Sequence, residues 1–127
     1  MRQHNTRPKF LNLLQIRLPV MAVTSLAHRV SGGLLFLLTP ALIYALSLSL
    51  RSPEDYRALL DGLQWWPMQM LALLAWWAVL HHLFAGVRFL LMDLDRGVRL
   101  PAAARSAWAV NLAALGLAVL TALGVWL

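Results

Sequence analysis

A chain of 127 residues with 61% hydrophobic and only 13% charged side chains carries about half the charge of an ordinary soluble domain, which argues against a water-soluble fold. Its formal charge of +6 suits an anionic partner, and in a chain this apolar that partner is a membrane surface rather than nucleic acid. The absence of cysteine excludes a disulfide framework, a Cys-based zinc site, a Cys-ligated iron–sulfur cluster and covalent haem attachment.

The tail, residues 1–18, is polar and basic. Three charge-free stretches follow: Val30 to Leu50 (21 residues), Leu63 to Val87 (25) and Ser106 to Leu127 (22). Each reaches the roughly 20 residues that a helix rising about 1.5 Å per residue needs to cross a bilayer. Backbone groups in lipid must be satisfied within their own segment, so the spacing predicts an all-α membrane protein, a single domain with helices at about 20–50, 63–92 and 104–127. Pro19 suits the start of the first helix, and Pro40 inside it frees the Phe36 carbonyl. Ser52-Pro53-Glu54 suits the start of a brief surface helix, and Met92 to Arg105 forms the second loop. The long polar lead-in and long apolar run do not suit a cleaved signal peptide.

Lys and Arg set the orientation. Arg2, Arg7, Lys9, Arg17, Arg29, Arg88, Arg96, Arg99 and Arg105 fall on one side, against Arg51 and Arg57 on the other. The N-terminus is therefore expected in the cytoplasm and the C-terminus outside, in a multi-pass membrane protein. Trp65, Trp66 and Trp126 then fall near the outer interface and Trp108 near the inner one.

Polar residues inside the spans are costly and carry the information. In Ser25-Leu26-Ala27-His28-Arg29-Val30-Ser31-Gly32, helical spacing puts Ser25 with His28 and Arg29, and Gly32 one turn on. The stripe offers a hydroxyl, an imidazole and a guanidinium beside a patch without side chain. Arg29, roughly 13 Å in, is deep enough to meet an anion at the membrane boundary; alternatively it belongs to the positive-inside signal and Ser25 bonds its own helix. In the second cluster, His81-His82-Leu83-Phe84-Ala85-Gly86-Val87-Arg88, His82 lies close to the midplane. It shares a stripe with Ala75, Ala78, Ala85 and Gly86, which suits a planar cofactor and equally suits close helix packing with His82 bonded to a neighbouring helix. His81 points about 100° away and reads as a packed or lipid-boundary residue. Asp93 is a loop charge with Arg88 and Arg96 within reach. No Ser-His-Asp set, phosphate loop, zinc ligand set or intramembrane acid is visible, which sets aside hydrolysis, nucleotide binding and proton-driven transport.

Arg7-Pro8, Ile16-Arg17-Leu18-Pro19, Ser25-x-x-His28-Arg29-x-Ser31-Gly32, Ser52-Pro53-Glu54 and His82-x-x-x-Gly86-Val87-Arg88 with Met92-Asp93 together resemble the cytochrome b anchor family of succinate dehydrogenase, the larger membrane anchor of respiratory complex II. The likeness covers most of residues 7–93; the third span fits in length and position only. It implies that His82 is an axial ligand of haem b, that Ser25 and Arg29 line a ubiquinone pocket, and that His28 and Arg29 lie near the haem propionates. It further implies a flavoprotein subunit, an iron–sulfur subunit and a second anchor that completes the helical bundle and supplies the other haem ligand. An internal haem held between His28 and His82, at depths of roughly 12 and 16 Å, is the competing arrangement. Two positions depart from the family. His81 stands where an aromatic is usual, leaving a competing ligand, and Phe89 stands where a second histidine is usual. A fumarate reductase anchor and a cofactor-free structural anchor are the alternatives, and the second would need no midplane histidine.

Overall fold

The computed structural model describes residues 17–126, without the side chain of Trp126. Most of the basic tail, with Arg2, Arg7, Lys9, Arg7-Pro8 and Ile16, lies outside the described residues, as does the indole of Trp126. Four helices follow in order: α1 (Val20–Arg51), α2 (Pro53–Leu63), α3 (Trp66–Asp93) and α4 (Leu100–Trp126). Three of them, α1, α3 and α4, are long and apolar enough to cross a membrane.

Each helix boundary has a local cause. The Pro19 carbonyl accepts from Ala22 and Val23, so the missing proline donor falls where none is needed. The Ser52 hydroxyl accepts from the Asp55 N–H at 3.0 Å, Pro53 opens the helix, and Glu54 and Asp55 face the positive end of its dipole. Helix α2 therefore runs on to Leu63, and Gln64 and Trp65 make the turn, so α3 begins at Trp66 rather than at 63. At its other end Asp95 adopts a left-handed φ of 57°, with Arg96 N–H bonded to the Leu91 carbonyl and Asp95 N–H to that of Met92. This is a Schellman stop with Asp in the place usually taken by Gly. Helix α4 starts at Leu100, earlier than 104, because Pro101 is tolerated in a first turn and the Arg99 carbonyl already accepts from Ala103 at 2.8 Å. Counting charge-free residues misses such ends, since helix termini readily carry arginines.

The packing is inverted relative to a soluble domain. The buried residues are mostly small or polar: Ala78, Ala85, Ala103, Ala107, Ala114 and Ala118, with Thr24, Ser31, His81 and Arg88. Large apolar side chains such as Phe36, Leu37, Leu50 and Leu90 face outward. Lipid supplies no hydrophobic drive between helices, so small residues are used where backbones approach and bulky ones are left to the acyl chains. Helix α3 is central, packed on α1 along one side and on α4 along another, with α2 at one end beside α1 and α3. The start of α1, the end of α3 and the start of α4 share the opposite end.

Candidate cofactor and quinone site

Two histidines from different spans meet at the α1–α3 seam. The His28 and His82 rings stack with centroids 4.2 Å apart and 7° between their planes. The similar depths obtained by counting residues are thus realised as contact. The arrangement has internal symmetry: His28 and Gly32 on α1 are four apart, as are His82 and Gly86 on α3, and the helices run antiparallel. Gly32 lies under the His82 ring and Gly86 under that of His28. Phe89 closes the edge of His28, centroid to centroid 5.2 Å.

The hydrogen bonds to His82 all come from one turn of α1. Its Nδ1 is 3.2 Å from the His28 carbonyl and 3.4 Å from Ser31 Oγ. A carbonyl can only accept, and Ser31 spends its own hydrogen on that same carbonyl at 2.9 Å, so Nδ1 carries the proton toward both. The neutral imidazole then leaves Nε2 as its bare nitrogen, and Nε2 has no hydrogen-bond partner among the described residues. Packing and ligation, alternatives at the level of spacing, are here compatible: Nδ1 does the packing and Nε2 is spared.

The stripe expected on α1 divides in two. His28, Ser31 and Gly32 turn toward α3, whereas Ser25 is half-buried on the flank and Arg29 is exposed. Neither Ser25 nor Arg29 has a side-chain hydrogen bond to the described residues, so the self-bonding alternative for Ser25 is not what this structure contains. The small-residue groove on α3 is also narrower than expected. Ala78 and Ala85 are fully buried, and α1 covers His82 with Ser31 and Gly32.

His81 is not at this site. It is 1% exposed, its Nε2 lies 3.0 Å from Asn111 Oδ1 on α4, and Trp77 packs on it at 5.3 Å. The buried Thr24 hydroxyl of α1 reaches the same amide oxygen at 3.2 Å, so three helices meet on Asn111. Its Nε2 is therefore engaged, and its Nδ1 is buried with no hydrogen-bond partner among the described residues, so His81 sits in the packing between α3 and α4. Arg88 likewise turns to α4, with Nε donating to Ser106 Oγ at 2.9 Å and a terminal N–H to the Ala103 carbonyl at 3.0 Å. Asp93 is a loop charge, as expected, and pairs with neither Arg88 nor Arg96: among the described residues the one ion pair joins Arg51 and Asp55. Five residues put Asp93 about 140° around the helix from Arg88, and Asp93 is exposed where Arg88 is buried.

Sequence reasoning passed over Asn111, Thr24 and Ser31. Asn111 carried a usable signal as the lone amide within the apolar stretch of α4, where a polar side chain needs a partner. Ser31 sat inside the quoted motif, three residues from His28.

Fold and site define a three-span helical membrane subunit with two histidines stacked at the seam of two spans. Residues 3–123 match the family described as succinate dehydrogenase/fumarate reductase transmembrane subunit, and the chain belongs to that family. It is similar to the succinate dehydrogenase cytochrome b556 subunit of Coxiella burnetii (strain RSA 493 / Nine Mile phase I), 35% identical over 123 residues, covering 94% of this chain and 97% of that protein. It is also similar to the protein of the same name from Paracoccus denitrificans, 30% identical over 115 residues, with 91% and 88% covered. These names place it as a membrane subunit of an enzyme complex.

Proposed function

We propose that the chain is the haem b- and quinone-binding anchor of a succinate:quinone oxidoreductase. The observation that carries the reading is His82 with Nδ1 held by the His28 carbonyl and Nε2 spared, the tautomer an axial ligand needs. The relatives are named as cytochromes, which agrees with a haem in this family. His82 would hold the iron, with His28 and Arg29 at the propionates. The group, when bound, supplies reversible one-electron storage.

The face-to-face stack favours a single ligand from this chain. Nitrogens that share one iron point at it along their ring planes, whereas His28 and His82 present flat faces to each other at 4.2 Å. The second ligand then comes from a partner anchor, which also covers outward apolar surface. A flavoprotein subunit oxidises succinate, an iron–sulfur subunit passes the electrons on, and ubiquinone accepts two electrons and two protons at this anchor. Arg29 polarises a quinone oxygen and Ser25 donates a hydrogen bond to it. Both lie near the start of α1, at the end whose excess of Lys and Arg supports a cytoplasmic side, in the inner membrane of a bacterium.

The test is a dithionite-reduced minus oxidised spectrum of membranes holding the assembled complex, wild type against His82→Ala. A sharp b-type α-band lost or shifted in the variant supports the reading. No band in assembled wild type would leave a cofactor-free anchor and return His82 to helix packing.

A further inference from the structure

We infer that Gly32 is the positioning residue for His82: the missing side chain at position 32 lets the ring settle against α1 in one rotation. The inference rests on the reading of His82 as a haem ligand. A Cβ at position 32 would stand 2.9 Å from His82 Cε1, 3.3 Å from Nδ1 and 3.9 Å from Nε2. The first distance is well inside the roughly 3.5–4.0 Å at which carbon atoms pack.

The atoms met are not a free end that can swing aside. Nδ1 is bonded to the His28 carbonyl, Ser31 Oγ stands beside it, and the His28 ring covers one face. One turn of α1 therefore holds the His82 ring on three sides, and Gly32 completes that cradle at Cε1. A half-turn of the ring would exchange Nδ1 with Cδ2 and Cε1 with Nε2, so the His28 carbonyl decides which nitrogen is left bare, and the space at Gly32 lets the ring come close enough to reach that carbonyl. A methyl at 32 must push the ring off the carbonyl and release the tautomer.

The seam is asymmetric in the same sense. A Cβ at Gly86 would meet His28 Nε2 at 3.6 Å, an ordinary contact, while Gly33 has nothing within 4 Å. His82 is thus the ring held in one orientation and His28 the one with slack. Gly33 is also a control, because alanine there brings the same gain in helix propensity without touching the site.

The experiment uses membranes with the whole complex carrying Gly32→Ala, Gly33→Ala or Gly86→Ala, normalised to succinate oxidation with an artificial acceptor. Gly32→Ala is expected to lose or shift the low-spin b-type signature, with haem retained on the order of tenfold less firmly. Gly33→Ala should match wild type and Gly86→Ala should fall between. A Gly32→Ala complex with the wild-type spectrum and midpoint potential overturns the inference. Absence of any band in wild type overturns the haem reading itself and the inference with it. If Gly32→Ala fails to assemble, it is combined with His82→Ala, which removes the ring that the methyl would strike. The double variant should then assemble as well as His82→Ala alone; poorer assembly would place the clash elsewhere and overturn the assignment.

Discussion

Helix α3 presents adjacent histidines to two different seams, and the seams are built on opposite plans. Toward α1, His82, Gly86 and Phe89 form a stripe whose polar atoms are only half used, with Nε2 spared and Ser25 and Arg29 on the flank without a side-chain partner among the described residues. Toward α4, His81, Ala85 and Arg88 form a stripe that is buried and tied down, to Asn111, Ser106 and the Ala103 carbonyl. One residue of offset, about 100° of helix, separates a side chain kept available from one spent on holding the bundle. A midplane histidine is therefore not a cofactor ligand by depth alone. Each histidine has one ring nitrogen engaged and one without a partner; what distinguishes His82 is that its ring is only half-buried, whereas the unpartnered Nδ1 of His81 is sealed inside the bundle.

If the comparison holds, damage to the α4 seam should weaken the protein and leave the spectrum alone. The largest effect is expected for Arg88→Ala, which removes two charge-assisted hydrogen bonds at a site 6% exposed. At roughly 1.5–3 kcal/mol for each bond of that kind, the loss is about 3 kcal/mol or more, read as a lower thermal midpoint of the purified complex. The haem band of the surviving complex should not move. A displaced band would mean that Arg88 acts on the α1 seam after all, for which its position beside the Phe89 ring, 5.2 Å from the centroid, offers the route.

Next in size is Arg29→Ala, which probes the opposite seam. With no partner among the described residues, Arg29 should contribute little to folding. Its loss should slow quinone reduction on the order of ten- to a hundredfold, while succinate oxidation with an artificial acceptor stays near wild type. An equal fall in both activities would make Arg29 an assembly residue.

Much of this contrast was legible in the chain. Charge-free lengths located the three spans, the fall of Lys and Arg suggested an orientation, and the Ser-x-x-His-Arg-x-Ser-Gly run pointed to the site. Spacing on α1 did not separate Ser25 and Arg29 from His28 and Gly32, because helical periodicity gives a shared face and not the edge at which a neighbour stops. The Asn111 tie was hidden for a related reason: its partners Thr24 and His81 are 87 and 30 residues away, so only the packing of three helices brings them together. The cradle on α1 was hidden more deeply, since it uses a backbone carbonyl and a missing side chain, neither of which has a residue type to recognise.

Asn111→Ala should cost about 0.6 kcal/mol, and at most roughly 1.7, because hydrogen bonds between spans are modest when the loosened chain can find other partners. It would show as a small fall in thermal midpoint with quinone kinetics intact. A change in the haem band would join the two seams through Thr24, which sits on α1 one residue before Ser25.

The finest discrimination comes from Ser25→Ala. Losing one neutral hydrogen bond of roughly 0.5–1.5 kcal/mol should lower quinone turnover by up to about tenfold. Stability should not change, because Ser25 has no side-chain hydrogen bond to the described residues that the substitution could break. Ser31→Ala is the informative counterpart six residues along the same helix. Its hydroxyl is fully buried between the His28 carbonyl and His82 Nδ1, so its loss should disturb the haem signature before it disturbs quinone turnover. Were Ser25→Ala to leave turnover unchanged while Ser31→Ala lowered it, the quinone contact would move from the flank of α1 to the face that holds His82.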